Sequence, residues 1–220
     1  MGKRLMIILF DLDGTLIDST EAILESFHNS FDVHGYPHAD DEDIKALIGH
    51  PLDVMYRELG VDEEKVAAFV DTYKEHYRKI STQKTILLEN AREAIEEASK
   101  IATLGIVTTK TGKYSQVLME YFGVMDKFDV LIGREDVINP KPHAEPILKA
   151  LEQLDSDAKD IWMIGDTSMD LISAKNAGIK AIGLLSGYDS KETLEQYSDI
   201  ILCDSLEAIS YLRSIKNSHY

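Results

Sequence analysis

The feature that most limits what this chain can fold into is the stretch "LMIILFDLDGTLID" near its start. Leu5 to Phe10 shows no polar alternation, which is how a strand covered on both faces reads, as in a parallel sheet with helices on either side. The run then delivers Asp11 and Asp13 with only Leu12 between them, followed by Gly14. Two acids so close repel each other unless a proton or a positive group lies between them. They stand at the carboxyl end of the strand, the edge at which open α/β sheets bind ligands.

Downstream the text is helical from Ile17 to Thr85, with no strand expected. In "IDSTEAILESFHNSFDVHG", Asp18 and Glu21 have capping-box spacing, Ile23, Phe27 and Phe31 recur every four residues, and Gly35 is placed to stop the helix. "DEDIKALIG", "PLDVMYRELG" with Pro51 as a first-turn residue, and "DEEKVAAFVDTYKEHYRKI" continue the pattern. Strand and helix then alternate from "NAREAIEEASK" and "IATLGIVTT" through "FDVLIG", "DIWMIGD", "IKAIGLL" and "DIILC" to "SLEAISYLRSI". The expected class is therefore α/β: a doubly wound, mostly parallel Rossmann-like sheet core over 1–16 and 86–220, interrupted by a small all-helical insert over 17–85. Hinges are expected near Ile17 to Ser19 and near Thr85 to Leu87.

Polar residues fall where strand after strand gives way to a loop. After Asp11 and Asp13 come Thr108, Thr109 and Lys110 closing "LGIVTTK", Lys141 in "NPKPH", and Asp166 in "WMIGDTSMD". In a parallel sheet these ends share one edge, so they are read as one site. Its carboxylates need neutralising, and an oxygen-only ligand set suits a hard cation such as Mg²⁺ rather than zinc. A cation, a lysine and hydroxyl donors together are what a phosphoryl group in transfer requires. A carboxylate can serve as the nucleophile, and a second acid can protonate the leaving oxygen and later activate water.

Composition removes other classes. With 23 basic against 39 acidic residues the formal charge is −16, which repels phosphodiester backbones and anionic membrane surfaces. Neither nucleic acid nor a membrane is an expected partner. Cys203 is the single cysteine, so no internal disulfide or thiolate metal site is possible, and a cytoplasmic setting fits. The apolar run at the start is too short for a secretory h-region and ends in acids, and no later run has the length of a membrane span.

In order, "DLDGT", "GIVTTK", "NPKPHAEP" and "GDTSMD" resemble the four signature motifs of the haloacid dehalogenase-like hydrolase superfamily, and the helical insert resembles its small C1-type cap. The resemblance implies Asp11 as nucleophile and Asp13 as general acid and base. It implies Thr108, Thr109 and Lys141 as phosphate ligands, and Mg²⁺ held by Asp11, Asp166 and the Asp13 backbone carbonyl, with Asp170 behind them. Dehalogenases and phosphonate hydrolases of the superfamily lack an acid at the place of Asp13, so its presence points to phosphate esters. Mutases carry a histidine early in the first cap helix, where this chain reads "STEAILESF" and has His28 two turns on. "IGHPLDVMYRELG", Lys110 and "KFDVLIGREDVINPKPHAEP" resemble the phosphoglycolate phosphatase-like group. Thr109 departs from that group's usual Asn, and Ala144 from its second Pro.

The resemblance thus implies a metal-dependent phosphatase acting on a small phosphorylated metabolite, phosphoglycolate first. Inorganic pyrophosphate, a sugar phosphate, a mutase-like reaction, or a non-catalytic phospho-acceptor or binding role stay open, as does the oligomeric state. His50 and Arg57 could reach from the insert to a substrate carboxylate. Lys110 reads as a solvated side chain in competition with a substrate ligand. Tyr73 and Tyr77, at helical spacing, read as packing residues.

Overall fold

The computed structural model describes residues 6–154 and 158–217, so Leu5, the expected first residue of the leading strand, lies outside the described residues. The chain begins with β1 (Met6–Phe10), buried at every position. Its side chains alternate between two cores, as the strand period requires. Met6, Ile8 and Phe10 pack with Ala91, Ile95 and Ile209 on one face. Ile7 and Leu9 pack with Ile147, Ala150 and Ala174 on the other. The absence of polar alternation in this run follows from that double coverage.

A two-residue strand β2 (Ile17–Asp18) leads into four helices, α1 (Thr20–His34), α2 (Asp41–Lys45), α3 (Leu52–Glu58) and α4 (Glu63–Ile80), and β3 (Ile86–Leu87) leads out. The remainder alternates: α5 (Ala91–Ile101), β4 (Thr103–Val107), α6 (Gly112–Tyr121), β5 (Val130–Ile132), α7 (Glu145–Leu154), β6 (Asp160–Gly165), α8 (Ser168–Ala177), β7 (Lys180–Leu184), α9 (Lys191–Leu194), β8 (Ile201–Leu202) and α10 (Ser205–Asn217). Six strands form a parallel sheet in the order β5-β4-β1-β6-β7-β8. The chain moves outward from β1 through β4 to β5, then crosses to β6 on the far side of β1. Ligands bind in the crevice at such a reversal, and the loops that flank it follow β1 and β6.

The helical insert has a core of its own. Ile23, Phe27 and Phe31 of α1 face Tyr56 of α3 and Phe69, Tyr73 and Tyr77 of α4. Phe27 lies 4.7 Å from the Tyr56 ring and 5.1 Å from Tyr73, and truncating so enclosed a ring to Ala costs about 3–5 kcal/mol. Gly35 ends α1 as its position suggests: at φ 65° its amide and that of Tyr36 bond back to the Asp32 and Phe31 carbonyls.

One expectation for this region fails. Ile17 and Asp18 do not begin the first helix but pair antiparallel with Leu87 and Ile86, tying the two chain crossings into a ribbon. Ile17 is fully buried in the core beneath the sheet, so it is not free to start a surface helix. The Asp18–Glu21 capping box is accordingly not formed, and Asp18 instead accepts a hydrogen bond from the Thr20 amide at 2.9 Å. Among the described residues no helix is long and apolar enough to cross a membrane.

Candidate active site

The turn after β1 sets the site. The Asp11 amide extends the ladder to the Ile164 carbonyl at 3.0 Å, after which the amides of Thr15, Leu16 and Ile17 all converge on the Leu12 carbonyl. Gly14, at φ 79°, makes that reversal possible, and a Cβ there would run into the Asp166 carboxylate. Thr108 closes β4 with its amide on the Ile132 carbonyl. Asp166 follows β6, and Asp170 sits three residues into the next cap, where its Oδ2 accepts from the amide and hydroxyl of Thr167 at 3.1 and 2.7 Å. That is the capping box of α8.

Lys141 joins these elements. Its ammonium, almost fully buried, lies 3.1 Å from Asp11 Oδ1 and 2.5 Å from Asp170 Oδ1, and donates to the Val107 carbonyl at 3.1 Å. Asp166 is held from two sides, by the Thr15 hydroxyl at 2.8 Å and the Tyr188 amide at 3.0 Å. Carboxylate oxygens of Asp11, Asp166 and Asp170 lie within 4.8 Å of one another, all buried.

Three buried acids against one lysine leave the cluster short of positive charge. Burial pushes the Asp11 carboxyl up, Lys141 pulls it down, and the neighbouring Asp170 and Asp13 push it up again, to about 7. Burial, with Asp170 and Asp11, likewise holds Asp166 well above the ordinary carboxylate range. Burial alone would lower the Lys141 ammonium, but Asp11 and Asp170 more than offset it and keep it charged. Asp11 Oδ1, although near Lys141, has no hydrogen bond of good geometry. A buried acceptor left open, a carboxylate cluster and a backbone cradle at Gly14 and Gly187, where a Cβ would strike the Asp166 carboxylate, together fit a hard cation.

Asp13 is not part of that cluster. Its carboxylate accepts a short hydrogen bond from the Ser19 hydroxyl and pairs with Lys110 at 3.0 Å. Lys110 is therefore not the solvated side chain its sequence position suggested: only 9% of it is exposed, and its ammonium also lies 4.6 Å from the centre of the Tyr77 ring. Burial would lower its pKa, but Asp13 more than compensates. On the far side of Asp13 opens a cavity of about 320 Å³ between the sheet edge and the helical insert. Tyr73 and Tyr77 pack in the core of the insert, as their spacing predicts, and also line this cavity.

Other expectations resolve plainly. His50 lines the cavity. Arg57 does not, because its guanidinium is held on the exterior of the insert by Asp53 at 2.7 Å and Glu63 at 2.5 Å. The Thr109 hydroxyl donates to the Gly49 carbonyl at 2.8 Å, bracing the loop after β4 against the insert rather than standing free for an anion. His28 bonds Asp41 at 2.7 Å and stacks on His38, away from the acids.

Sequence reasoning gave no role to Thr15, Ser19, Gly187 or Tyr188. Thr15 and Ser19 lie within a few residues of the two acids, so proximity was the available signal. The loop after β7 that brings Gly187 and Tyr188 to Asp166 carries no sequence mark, because a backbone amide serves there.

A family model described as haloacid dehalogenase-like hydrolase matches residues 8–184, and the chain belongs to that family. The expectation of an enzyme that hydrolyses phosphoric monoesters agrees with this membership. Among curated relatives, pyrophosphatase PpaX of Bacillus velezensis is 31% identical over 215 residues, covering 97% of this chain and 99% of that one. PpaX of Halalkalibacterium halodurans is 35% identical over 177 residues, covering 79% and 80%. A solved haloacid dehalogenase-like family hydrolase from Streptococcus pneumoniae superposes with a TM-score of 0.85 at 28% identity, over 95% of this chain and 99% of that one.

Proposed function

We propose that this protein is a Mg²⁺-dependent phosphatase that works through a phosphoryl group carried on Asp11, with small phosphorylated metabolites as substrates. The observation that carries the reading is the separation of two carboxylates two residues apart: Asp11 lies in the buried cluster with Lys141, Asp166 and Asp170, while Asp13 faces the cavity. One is thereby kept for bonding to phosphorus and the other for proton traffic with the leaving group.

In the first step an Asp11 oxygen forms a bond to phosphorus and the ester P–O bond breaks. The leaving oxygen takes a proton from Asp13. In the second, a water oxygen bonds to phosphorus, Asp13 recovers a proton from that water, and the P–O bond to Asp11 breaks to release phosphate and the free carboxylate. Lys141 and Thr108, at the ends of their loops, are suited to bind the equatorial phosphoryl oxygens. Asp11 and Asp166, with the Asp13 carbonyl, are the residues proposed to hold Mg²⁺. When bound, the ion neutralises carboxylate and phosphate charge in the buried site. Asp170 orients Lys141 through the 2.5 Å contact.

Phosphoglycolate, by resemblance, and pyrophosphate, by the names of the PpaX relatives, are the first compounds to assay. The test is phosphate release from these and from sugar phosphates, with Mg²⁺ and with chelator. Metal-dependent multiple turnover that Asp11→Asn abolishes supports the reading. A single stoichiometric burst without turnover favours a phospho-acceptor switch, and turnover surviving in Asp11→Asn overturns the role of Asp11.

A further inference from the structure

The cavity beyond Asp13 carries information about the leaving group. Its lining includes Asp13, Thr109 and Lys110 but none of Asp11, Thr108, Lys141 or Asp166. It therefore opens on the proton-donating side of the site, away from the phosphoryl-binding cluster. At about 320 Å³ it falls within the range of organic small-molecule sites, roughly 300–1,000 Å³. Orthophosphate leaving from pyrophosphate needs no such room.

Much of the wall is apolar. Ile23, Ile48, Leu52, Met55 and Val70 face the space, joined by the rings of Tyr73, Tyr77 and Tyr114. An inorganic anion would leave these aliphatic side chains and rings uncovered, whereas a hydrocarbon body would cover them. The charges on the lining are unevenly satisfied. Asp13 is paired with Lys110, and Asp53 with Arg57. Glu135 accepts from the amides of Gly112 and Lys113 at 2.8 and 3.3 Å. Lys74 makes no ion pair with a described carboxylate, and Arg134 spends one N–H on the Val137 carbonyl at 3.1 Å. Across the whole lining Lys74, Lys110 and Arg134 balance Asp13, Asp53 and Glu135, and Lys74, which acts on Glu135 without closing an ion pair, and Arg134 are the two cations with no described carboxylate at ion-pair distance.

We infer that the chamber receives the alcohol portion of the substrate, and that this alcohol has an apolar body ending in an acidic group that meets Lys74 and Arg134. The inference rests on the phosphatase reading above and narrows it. Phosphoglycolate has the acid without the body, and pyrophosphate has neither.

Primary alkyl phosphates test this with leaving alcohols of similar reactivity: ethyl phosphate, hexyl phosphate and ω-phosphonooxyhexanoate, beside phosphoglycolate and pyrophosphate, all with Mg²⁺. The chamber predicts kcat/KM at least about tenfold higher for hexyl than for ethyl phosphate, from the added buried methylenes. It predicts a further gain for the acid-ended ester. Val70→Trp, which fills the space, should collapse the hexyl-to-ethyl ratio, and Lys74→Gln combined with Arg134→Gln should collapse the ratio of acid-ended to neutral hexyl ester. Metal-dependent turnover that prefers pyrophosphate or phosphoglycolate over both hexyl compounds overturns the inference and leaves the phosphatase reading standing. Turnover of none of the five overturns the inference, and if sugar phosphates are not turned over either, the phosphatase reading falls with it.

Discussion

Replacing Lys141 with Met isolates the electrostatics that hold this site together. The side chain keeps most of its length but loses the charge between Asp11 and Asp170, whose side chains are 4% and 0% exposed. Removing one partner of a buried ion pair costs about 3–5 kcal/mol, because the remaining charge is left uncompensated. At about 2–4 °C per kcal/mol for a chain of this size, the melting temperature should fall by roughly 6–20 °C in metal-free buffer. The loss should also depend on pH. Asp11 titrates near 3.8 ordinarily and at about 7 in the fold. Between those values the native state binds the extra proton, so stability falls as pH rises across the window. Lys141 pulls the Asp11 pKa down, and without it the window moves higher, so the penalty should be larger at about pH 8 than at about pH 5. Circular dichroism melts of wild type and variant at both pH values measure this, and Asp170→Asn in the variant background should restore part of the loss. A melting temperature within about 2 °C of wild type at about pH 8, or an equal loss at both pH values, would refute the reasoning.

Gly187→Ala drives a Cβ into the Asp166 carboxylate, so the Mg²⁺ concentration for half-maximal activity should rise at least about tenfold, and an unchanged requirement removes this loop from metal binding. Because burial and neighbouring acids raise both Asp11 and Asp166, protons compete with the metal. The rise in melting temperature on adding Mg²⁺ should be greater at about pH 8 than at about pH 5.5, and equal increments would contradict the ligand assignment. Arg57→Ala breaks only exposed pairs on the insert, so kcat/KM should stay within about twofold of wild type, and a large rise in KM would return Arg57 to the substrate.

The sheet was legible because each of its strands is a short apolar run flanked by helical text, and burial on both faces writes itself as an absence of polar residues. The meeting of Asp11, Lys141 and Asp166 was legible because parallel strands put their carboxyl ends on one edge, whatever their distance in sequence. The ribbon at Ile17 and Asp18 was hidden, since two residues carry no period and their partners lie at Ile86 and Leu87. Lys110 and Arg57 exchanged expected places for a related reason. Which basic side chain finds a carboxylate in the interior, and which finds two on the surface, depends on how the insert is set over the sheet edge. Tyr188 contributes through its amide to Asp166 and its hydroxyl to Thr20, and the amide contact leaves no trace in residue type.

The central claim is that phosphorus becomes bonded to Asp11. Acid quench of the enzyme turning over substrate with Mg²⁺, followed by borohydride reduction and peptide mass spectrometry, converts a phosphorylated aspartate to homoserine. The account predicts homoserine at position 11 in the wild type. Phosphate release with no reduced residue, or reduction at Asp13 or Asp166 instead, would contradict it.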